Sequence, residues 1–494
     1  MNSPASIPFV RLGAVKSLDD FHAVCTALGI ELPAEAIGAG PSPLGEPAAV
    51  VINGKRPGNR IVIHPMEGWD GTTTGGASDE LRRRWRRFGE SGAKMICGAE
   101  AMAVRPDGRA NPHQLIITEE NQAGLAELVG ILKGAHAERH GSTEDLVIGF
   151  QLTHSGRFCR PHDKARWESR VAFRHPLLDR KFNVTSDAQI LTDADVEELI
   201  AAFVRAAHVA WAAGADFVDL KHCHGYLLHE LLGAHTRPGK YGGSFENRTR
   251  ILREIVAGIR ADGNPIGFGV RLSLFDKVPH RPDPARALPG KLGPGIPEDF
   301  SACLPYRYGF GVNQEDPTEI DLTETFAFVT LCGELGIKVL NTSAGSPYYT
   351  PHLQRPAAFP PSDGYQPAYD PLIDVARLIQ AVRQVKARAP KGLFVIGSGY
   401  TYLQKFLAPV AHAVMRLGWA DAIGLGRAVL SYPAMLTDAI AGRPVEKKLI
   451  CRTFSECTTA PRNGLISGCY PLDKFYTQRP EFAQLKAIKK QLGA

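Results

Sequence analysis

The chain has 494 residues, of which 44% are hydrophobic and 22% charged, and its formal net charge is +6. This composition is typical of a globular protein whose core needs no disulfides, and the charge is too weak and scattered to indicate a nucleic-acid-binding protein. We find no segment like a secretory signal, no run of about 18 apolar residues and no disulfide framework among the nine cysteines, so we expect a cytoplasmic protein without membrane or nucleic-acid partners.

The first 57 residues are rich in Pro, Gly and Ala, with one helical stretch near residues 18–28, and we expect an N-terminal extension packed on the main domain. After them, short apolar runs typical of buried parallel strands alternate with amphipathic segments of helical spacing. The predicted strands are 61–63, 95–97, 146–152, 217–220, 266–272, 338–341, 393–396 and 422–425. The predicted helices are 119–139, 193–213, 245–261, 323–335, 371–387 and 402–417. This alternation predicts an α/β fold, a (β/α)₈ TIM barrel over residues 58–444, with the carboxyl ends of all strands on one rim.

Three segments stand apart from the alternation. The arginine-rich run at residues 82–87 is predicted to be a solvated helix face with Trp85 and Phe88 turned inward. The proline-rich segment 276–318 forms a long loop between the fifth strand and the fifth helix, and we expect it to be a lid or binding loop. The C-terminal tail, residues 445–494, carries three cysteines.

Reactive side chains follow the fourth strand, in the run Lys221-His222-Cys223-His224-Gly225-Tyr226. Because the chain turns where the strand ends, Lys221, His224 and Tyr226 could converge at the barrel mouth. A cation, an imidazole and a phenol together can polarise a carbonyl and deliver a proton. For a single histidine such as His222, packing against backbone groups is the more common role.

Two motifs, HGYLLHE at residues 224–230 and YGGSFENR at residues 241–248, resemble the signature of the old yellow enzyme family. Shorter motifs follow the family's order: HPM at 64–66, GAEAMAV at 98–104, GR at 108–109, QLTHSGR at 151–157, VRLS at 270–273, GSG at 397–399 and GLGR at 424–427. The resemblance covers residues 58 to about 435. It implies a barrel that binds FMN without a covalent link and is reduced by NADH or NADPH.

The resemblance also implies which residues bind the cofactor. The flavin ring would be contacted by Pro65, Met66 and Ala101. Gln151 has an amide donor and acceptor for the pyrimidine edge, and Arg271 would stabilise negative charge on the N1–O2 side of the ring. The phosphate would be bound by the loops after the last two strands, where barrels commonly bind phosphate, through Gly397, Ser398, Gly399, Gly426 and Arg427.

The resemblance assigns catalytic roles as well. Tyr226 matches the tyrosine that protonates the substrate carbon, and His224 matches one of the pair that binds the substrate's activating oxygen. Lys221 departs from the family, which usually has histidine there, and a lysine could bind an oxyanion or a carboxylate-bearing substrate as a point charge. The substrate pocket could also be lined by Glu67, Trp69, Tyr348 and Tyr349.

The cysteines of the tail match a known iron–sulfur motif only in part. Relatives such as 2,4-dienoyl-CoA reductase and trimethylamine dehydrogenase have a four-cysteine cluster site directly after the barrel. Cys457 and Cys469 match its last two ligands, but Cys451 is one place out of register and Thr453 occupies the next position. Iron–sulfur clusters usually need four thiolates. Three cysteines could still hold a cluster with a foreign ligand, but we expect a structural remnant of the motif, with neither a cluster nor another metal.

The leading hypothesis is an FMN-dependent oxidoreductase of the ene-reductase type, which passes hydride from NAD(P)H through the flavin to an activated C=C bond of a small molecule. One alternative is an FMN-dependent dehydrogenase or demethylase that passes electrons to a separate carrier. A third is a catalytically silent flavin-binding barrel. A homo-oligomer is compatible with each of them.

Overall fold

A closed barrel of eight parallel strands forms the centre of the computed structural model, which describes residues 9–38, 40–288 and 292–491. The barrel strands are β1 (Ile61–Ile63), β2 (Met95–Ala103), β3 (Val147–Thr153), β4 (Phe217–His222), β5 (Gly267–Ser273), β8 (Val339–Ser343), β9 (Phe394–Gly397) and β10 (Ala422–Leu425). They follow each other around the barrel in chain order, and β10 pairs with β1 to close it. The predicted TIM barrel is therefore confirmed.

The largest difference from the predicted strands is in β2, which continues six residues beyond the predicted end at residue 97. Its pairing with β3 shifts register between Gly98 and Ala101. At this bulge Gly98 and Ala99 have φ values of +94° and +42°. A bulge lets a strand bend and still rejoin its partner, and here the strand carries Ala101 to the rim.

The amino-terminal end of the barrel is closed by packing. Phe217 of β4 fills the interior, and a Cβ atom on Gly149 would lie 2.4 Å from its ring. Val50 and Ile52, which precede a tight turn before β1, belong to the same buried cluster as Phe217. Since this end is filled by apolar side chains, a ligand can enter only from the carboxyl rim.

The helices surround the barrel and include all six predicted ones, each displaced by at most a few residues. Those of ten or more residues are α1 (Leu18–Ala27), α2 (Asp79–Gly89), α3 (Gln122–His140), α4 (Asp193–Ala212), α6 (Phe245–Ala261), α7 (Thr323–Glu334), α9 (Leu372–Arg388), α10 (Leu407–Arg416) and α15 (Pro480–Gln491). The shorter ones are α5 (Leu227–Leu232), α8 (Pro351–Gln354), α11 (Ala428–Ser431), α12 (Met435–Ile440), α13 (Glu456–Arg462) and α14 (Lys474–Thr477). None of the helices in the described part of the chain is long and apolar enough to cross a bilayer.

The arginine-rich run forms most of α2, and the prediction for it is only partly correct. Trp85 and Phe88 are buried as predicted. Arg84 is buried too, and its guanidinium forms ion pairs with Asp70 and Glu100, so it is not part of a solvated face. Arg84 lies three residues after Leu81 and four before Phe88, which places it on the inward side of the helix.

The segments outside the barrel also pack on it. Phe21 of α1 stacks on Phe406 at 4.5 Å between ring centroids, and Glu35 pairs with Arg416 of α10. The loop 276–318 contains an antiparallel pair, β6 (His280–Pro282) with β7 (Gly295–Pro297). The division at residues 57 and 444 into an extension, a barrel and a tail remains our proposal.

Candidate active site

An open cavity at the carboxyl rim of the barrel encloses about 1340 Å³ of empty space, part of it continuous with solvent. The sequence-predicted residues that line it are Pro65, Met66, Ala101, Gln151, Lys221, His224, Tyr226, Arg271, Ser398, Gly399, Gly426 and Arg427. Gly397 does not line it; this residue ends β9, and the hydroxyl of Tyr400 lies 2.8 Å from where its Cβ would be. The structure thus brings together twelve of the thirteen predicted residues.

The turn after β4 makes Lys221, His224 and Tyr226 converge. His224 has a φ of +67°, in the left-handed region, and Gly225 follows at +76°. The backbone N–H of His224 donates to Ser273 Oγ at 3.0 Å, which fixes the turn against β5. Two consecutive left-handed residues reverse the alternation of the strand, so side chains that a regular strand would separate face the same cavity.

Glu67 joins Lys221 and Tyr226 in a buried group. The Tyr226 hydroxyl donates to Glu67 Oε2 at 2.5 Å, and the Lys221 ammonium lies 3.4 Å from Glu67 Oε1. The same ammonium lies 3.4 Å from the centre of the Tyr226 ring, a cation–π contact. The hydroxyl of Tyr348 is 3.4 Å from that of Tyr226. This group can hold and transfer a proton.

Burial shifts the pKa values of Tyr226, Lys221 and His224. The pKa of Tyr226 is raised well above its usual range by burial and by the Glu67 carboxylate. The pKa of Lys221 is lowered by burial, although Glu67 opposes this shift. The pKa of His224 is held well below its usual range by burial and by the nearby Arg271 and Lys221 charges. At neutral pH, His224 is therefore a neutral imidazole that can donate one hydrogen bond.

Gln151 and Arg271 both line the cavity on the side where the resemblance places the flavin pyrimidine. The Gln151 amide donates to Asp219 Oδ2 at 2.8 Å, so one of its two N–H groups is already used inside the barrel. Arg271 donates to the backbone oxygen of Pro65 at 3.3 Å, and its Nε has no hydrogen-bond partner among the described residues. A carbonyl, an amide N–H and a buried cationic N–H remain for a heterocycle with mixed donors and acceptors.

Asp219 was not among the predicted site residues, although it orients Gln151 from below. It is completely buried, and burial raises the pKa of its carboxyl to about 6. A folded-state pKa above the ordinary value of 3.8 means that the free energy of unfolding decreases as the pH rises from about 4 to about 6.

The Asp219→Asn variant tests this shift. We expect it to gain stability relative to the wild type by up to about 3 kcal/mol between pH 4 and pH 7, because the variant has no buried carboxyl to ionise. Chemical denaturation at both pH values measures the change. Asp276 and Asp374 also have pKa values of about 6, but they are common to both proteins. A difference that does not vary with pH would contradict the assignment.

The other side of the cavity is shaped by a contact between β1 and β9. The Ser398 hydroxyl donates to the Thr342 carbonyl at 2.6 Å, so it accepts the hydrogen bond from His64 Nε2 at 2.7 Å. A Cβ on Gly424 would lie 2.1 Å from the His64 ring, so only glycine fits there. The Ser398 hydroxyl is therefore occupied, and its contribution to a ligand is limited to the backbone.

The loops after β9 and β10 fit a phosphate. Gly399 has a φ of +98°, and a Cβ on Gly426 would meet only the Met66 sulfur, at 3.9 Å, so both glycines leave the backbone accessible. Arg427 NH1 is buried and, within the described ranges, has no hydrogen-bond partner. Accessible backbone and a free guanidinium N–H are what an anionic group needs. With Gln151 and Arg271 at the other end, these residues fit FMN.

Two walls of the cavity were not predicted from the sequence. One is the segment after β8, with Pro347, Gln354, Arg355 and Pro356, and the other is the tail, with Cys457, Thr458, Pro461, Arg462 and Ser467.

The expectation that the loop 276–318 covers the site is wrong, because none of its described residues lines the cavity; residues 289–291 lie outside the described part. Tyr349 was also assigned wrongly, because its hydroxyl donates to Asp276 away from the cavity, whereas Glu67, Trp69 and Tyr348 do line it.

The new walls add positive charge. Arg355 NH1 donates to Thr458 Oγ1 at 2.5 Å, while its Nε and NH2 have no hydrogen-bond partner in the described structure. Burial and the neighbouring Arg462 and Arg427 lower the pKa of Arg355. Arg462 is paired with Asp363. The surplus of guanidinium groups on this side favours an anionic ligand.

Two of the three cysteines of the tail lie near these arginines, Cys457 near Arg355 and Cys451 near Arg427. Cys457 lines the cavity, and Cys469 is buried. Burial raises the pKa values of both Cys451 and Cys469. Among the described residues, no group of three or more His, Cys, Asp or Glu side chains is arranged to hold a metal ion.

Comparison with known proteins shows which families and folds this chain is similar to. The model of the NADH:flavin oxidoreductase / NADH oxidase family matches residues 52–286. An NADPH dehydrogenase of Geobacillus thermodenitrificans is 32% identical over 231 residues, which cover 45% of this chain and 61% of the relative. The match thus spans less than two thirds of that relative's length.

Two solved structures show the same fold. A 2-naphthoyl-CoA reductase has a TM-score of 0.61 at 17% identity, over 90% of this chain and 58% of its own. An old yellow enzyme from Pichia sp. AKU4542 has a TM-score of 0.54 at 18% identity, over 82% of this chain and 88% of its own. At these identities the likeness concerns the fold alone. The family match and the identity to the NADPH dehydrogenase show that residues 52–286, slightly less than half of this chain, are similar to the NADH:flavin oxidoreductase / NADH oxidase family.

Proposed function

We propose that the protein is an FMN-dependent oxidoreductase that takes hydride from NAD(P)H and passes it to an activated C=C bond of a small molecule. One observation carries this proposal. One cavity at the carboxyl rim is lined by the glycines and free guanidinium of Gly399, Gly426 and Arg427, by the amide and guanidinium of Gln151 and Arg271, and by the buried phenol, imidazole and ammonium of Tyr226, His224 and Lys221. These are the groups that a flavin and a polarised acceptor require together.

The residues of the chain would divide the work as follows. Gln151 and Arg271 would hold the pyrimidine, and Gly399, Gly426 and Arg427 the phosphate. Bound FMN would supply reversible hydride transfer. The neutral His224 imidazole and the Lys221 ammonium would donate hydrogen bonds to the acceptor's oxygen and withdraw electron density from its double bond.

Tyr226 would deliver the proton that completes the reduction. Its ring packs edge-on against Phe158 at 5.8 Å, and Phe158 stacks on Tyr348 at 3.9 Å. This aromatic wall fixes the hydroxyl and excludes water from it. In a dry site the hydrogen bonds to a developing negative charge become stronger.

Anaerobic stopped-flow experiments on the FMN-loaded protein test the proposal. We expect NADH or NADPH to bleach the flavin absorbance, and a simple enone such as 2-cyclohexenone to restore it. If the flavin is reduced only by an oxidisable substrate such as an amine, the protein is a dehydrogenase or demethylase. If neither reduces it, the barrel binds flavin without catalysis.

The Arg427→Ala variant tests the phosphate site. We expect its dissociation constant for FMN to rise about 10- to 100-fold, because a charge-assisted hydrogen bond contributes roughly 1.5–3 kcal/mol. Fluorescence titration with FMN and with riboflavin, which has no phosphate, measures the effect. Riboflavin affinity should hardly change, and neither affinity should change in the exposed control Arg139→Ala. An equal loss for both ligands would mean that Arg427 does not bind the phosphate.

A further inference from the structure

A second cavity, here called the side pocket, lies next to the candidate active site. It encloses about 960 Å³ of empty space, part of it continuous with solvent. Tyr348 and Arg462 line both cavities, so the two adjoin each other at these side chains. The other charged and aromatic side chains that line the side pocket are Arg160, Trp167, Lys181, Phe182 and Asp363. A ligand that extends from the active site past Tyr348 would therefore enter the side pocket.

The side pocket has an excess of positive charge. Asp363 is the only carboxylate among its described lining residues, and it pairs with Arg462. The ammonium of Lys181 and the guanidinium of Arg160 therefore have no acidic partner in the lining. A cavity with three cations and one carboxylate favours a ligand with negative charge.

The guanidinium of Arg160 is held in place but keeps an unused donor. Its Nε and NH1 atoms donate to the backbone oxygens of Ala110 and Lys164, both at 3.1 Å, and its Cζ lies 4.3 Å from the centre of the Trp167 ring. Its NH2 atom is buried and has no hydrogen-bond partner among the described residues. A buried donor without a partner costs free energy, and an anion that accepts its hydrogen bond removes this cost. Arg160 is thus positioned to bind an anionic group.

Lys181 and Arg462 are fixed where the side pocket meets the active site. The Lys181 ammonium donates to the backbone oxygen of Tyr348 at 2.7 Å, and Arg462 NH2 donates to that of Pro347 at 3.1 Å. The Arg462 guanidinium lies 5.6 Å from the centre of the Tyr348 ring, whose centre is 6.2 Å from that of the Tyr226 ring. A molecule with an aromatic ring beyond its reacting double bond can therefore reach from Tyr226 to these cations.

We propose that the side pocket binds an anionic group, a carboxylate or a phosphate, of the molecule that occupies the active site. This inference rests on the proposed function. The group would enter the pocket past Tyr348 while the reacting carbon remains beside Tyr226. Lys221 does not serve this purpose, because its ammonium is paired with Glu67. The acceptor and NAD(P)H are the two candidate carriers of such a group, and a separate experiment tests each.

Two acceptors of similar shape test the acceptor as the carrier. The enone 4-(3-oxobut-1-enyl)benzoate has a carboxylate beyond its ring, and its methyl ester is neutral. In stopped-flow oxidation of the reduced, FMN-loaded protein, we expect the benzoate to bind at least about tenfold more tightly than the ester, because charge-assisted hydrogen bonds are strong. Since this preference compares two acceptors in one protein, a general effect of a substitution on folding or on the flavin cancels.

The Lys181→Gln and Arg160→Gln variants should each lose most of this preference. Glutamine keeps an N–H group for the backbone oxygen and removes the charge. The control Lys391→Gln, at an exposed position before β9, should keep the preference of the wild type. Equal binding of the two acceptors by the wild type, or a preference that both side-pocket substitutions leave intact, would exclude the acceptor as the carrier.

A second pair of molecules tests NAD(P)H as the carrier. The analogue 1-benzyl-1,4-dihydronicotinamide donates the same hydride but has no phosphate. If the side pocket binds a phosphate of the donor, Lys181→Gln and Arg160→Gln should weaken the binding of NADH or NADPH by about tenfold during flavin reduction and leave that of the analogue unchanged. Substitutions that change neither the acceptor preference nor the donor preference would overturn the inference.

Calorimetric titration of the oxidised, FMN-loaded protein with the benzoate and its ester measures binding without turnover. We expect the preference for the benzoate to decrease as the salt concentration rises, because Lys181 is exposed and its charge is screened. A flavin that NAD(P)H does not reduce, in a protein that still prefers the benzoate, would contradict the proposed function and not the side pocket. Hydride transfer from NAD(P)H to both acceptors, with no effect of either substitution, would contradict the side pocket alone.

Discussion

Replacing Tyr226 with phenylalanine is expected to slow the oxidation of the reduced protein by an enone about 10²- to 10⁴-fold, the usual contribution of a positioned general acid. The substitution removes one hydroxyl and leaves the ring, which packs edge-on against Phe158 at 5.8 Å. The aromatic wall should therefore persist. Stopped-flow mixing of the reduced variant with 2-cyclohexenone measures the rate directly.

Tyr241, the first residue of the motif at residues 241–248, provides a matched control. The Tyr241 hydroxyl also donates to a carboxylate, Glu254, at 2.6 Å, but Tyr241 does not line the cavity. Tyr241→Phe should therefore reduce stability slightly and leave the oxidation rate of the reduced protein near the wild-type value. If both variants react with the enone as fast as the wild type, Tyr226 is not the proton donor.

Replacing Arg84 with methionine is expected to lower the free energy of unfolding by about 3–5 kcal/mol, because it leaves Asp70 and Glu100 as buried carboxylates without a partner. Burial already raises the pKa of Glu100 while the Arg84 charge opposes the shift, so losing Arg84 raises this pKa further. Because the wild-type pKa of Glu100 is already about 8, a further rise adds a loss only above that pH, so the variant should fall further below the wild type at about pH 9 than at about pH 7. Urea denaturation at both pH values measures both effects.

The control for Arg84 lies on the same helix. Arg82 pairs with Glu127 at the surface, where both side chains are more than a third exposed, so Arg82→Met should cost at most about 1 kcal/mol at either pH. Equal losses of unfolding free energy in the two variants would show that the buried ion pairs of Arg84 stabilise the fold no more than the exposed pair of Arg82. Since Glu100 also accepts a hydrogen bond from Gly68 N, next to Glu67, the Arg84 variant should bind FMN more weakly as well.

The barrel and most of its site could be predicted because the signals for both lie in short continuous stretches of the sequence. Each strand is a short apolar run, and each site residue lies near the carboxyl end of a strand or just after it, so the parallel sheet alone gathers Gln151, Lys221 and Arg271 at one rim. Arg84 was predicted wrongly although the spacing from Leu81 to Phe88 held the necessary signal, because a charged residue on the inner face of a helix is uncommon.

The walls of the cavity could not be predicted in the same way. The loop 276–318 was expected to cover the site because of its length, but where a loop lies is decided by contacts with distant residues. Arg355 and Arg462 reach the cavity from segments more than 100 residues apart in the chain, and they meet there through the Thr458 hydroxyl and the Asp363 carboxylate. No periodic pattern encodes such contacts.

The central claim is that the carboxyl rim binds FMN with its phosphate at the loops after β9 and β10. A crystal structure of the protein reconstituted with FMN tests it most directly. We predict the phosphate within hydrogen-bonding distance of Gly399, Gly426 and Arg427, the pyrimidine against Gln151 and Arg271, and one face of the ring open towards Tyr226. A flavin bound elsewhere, or bound with its phosphate beside Tyr226, would contradict the account.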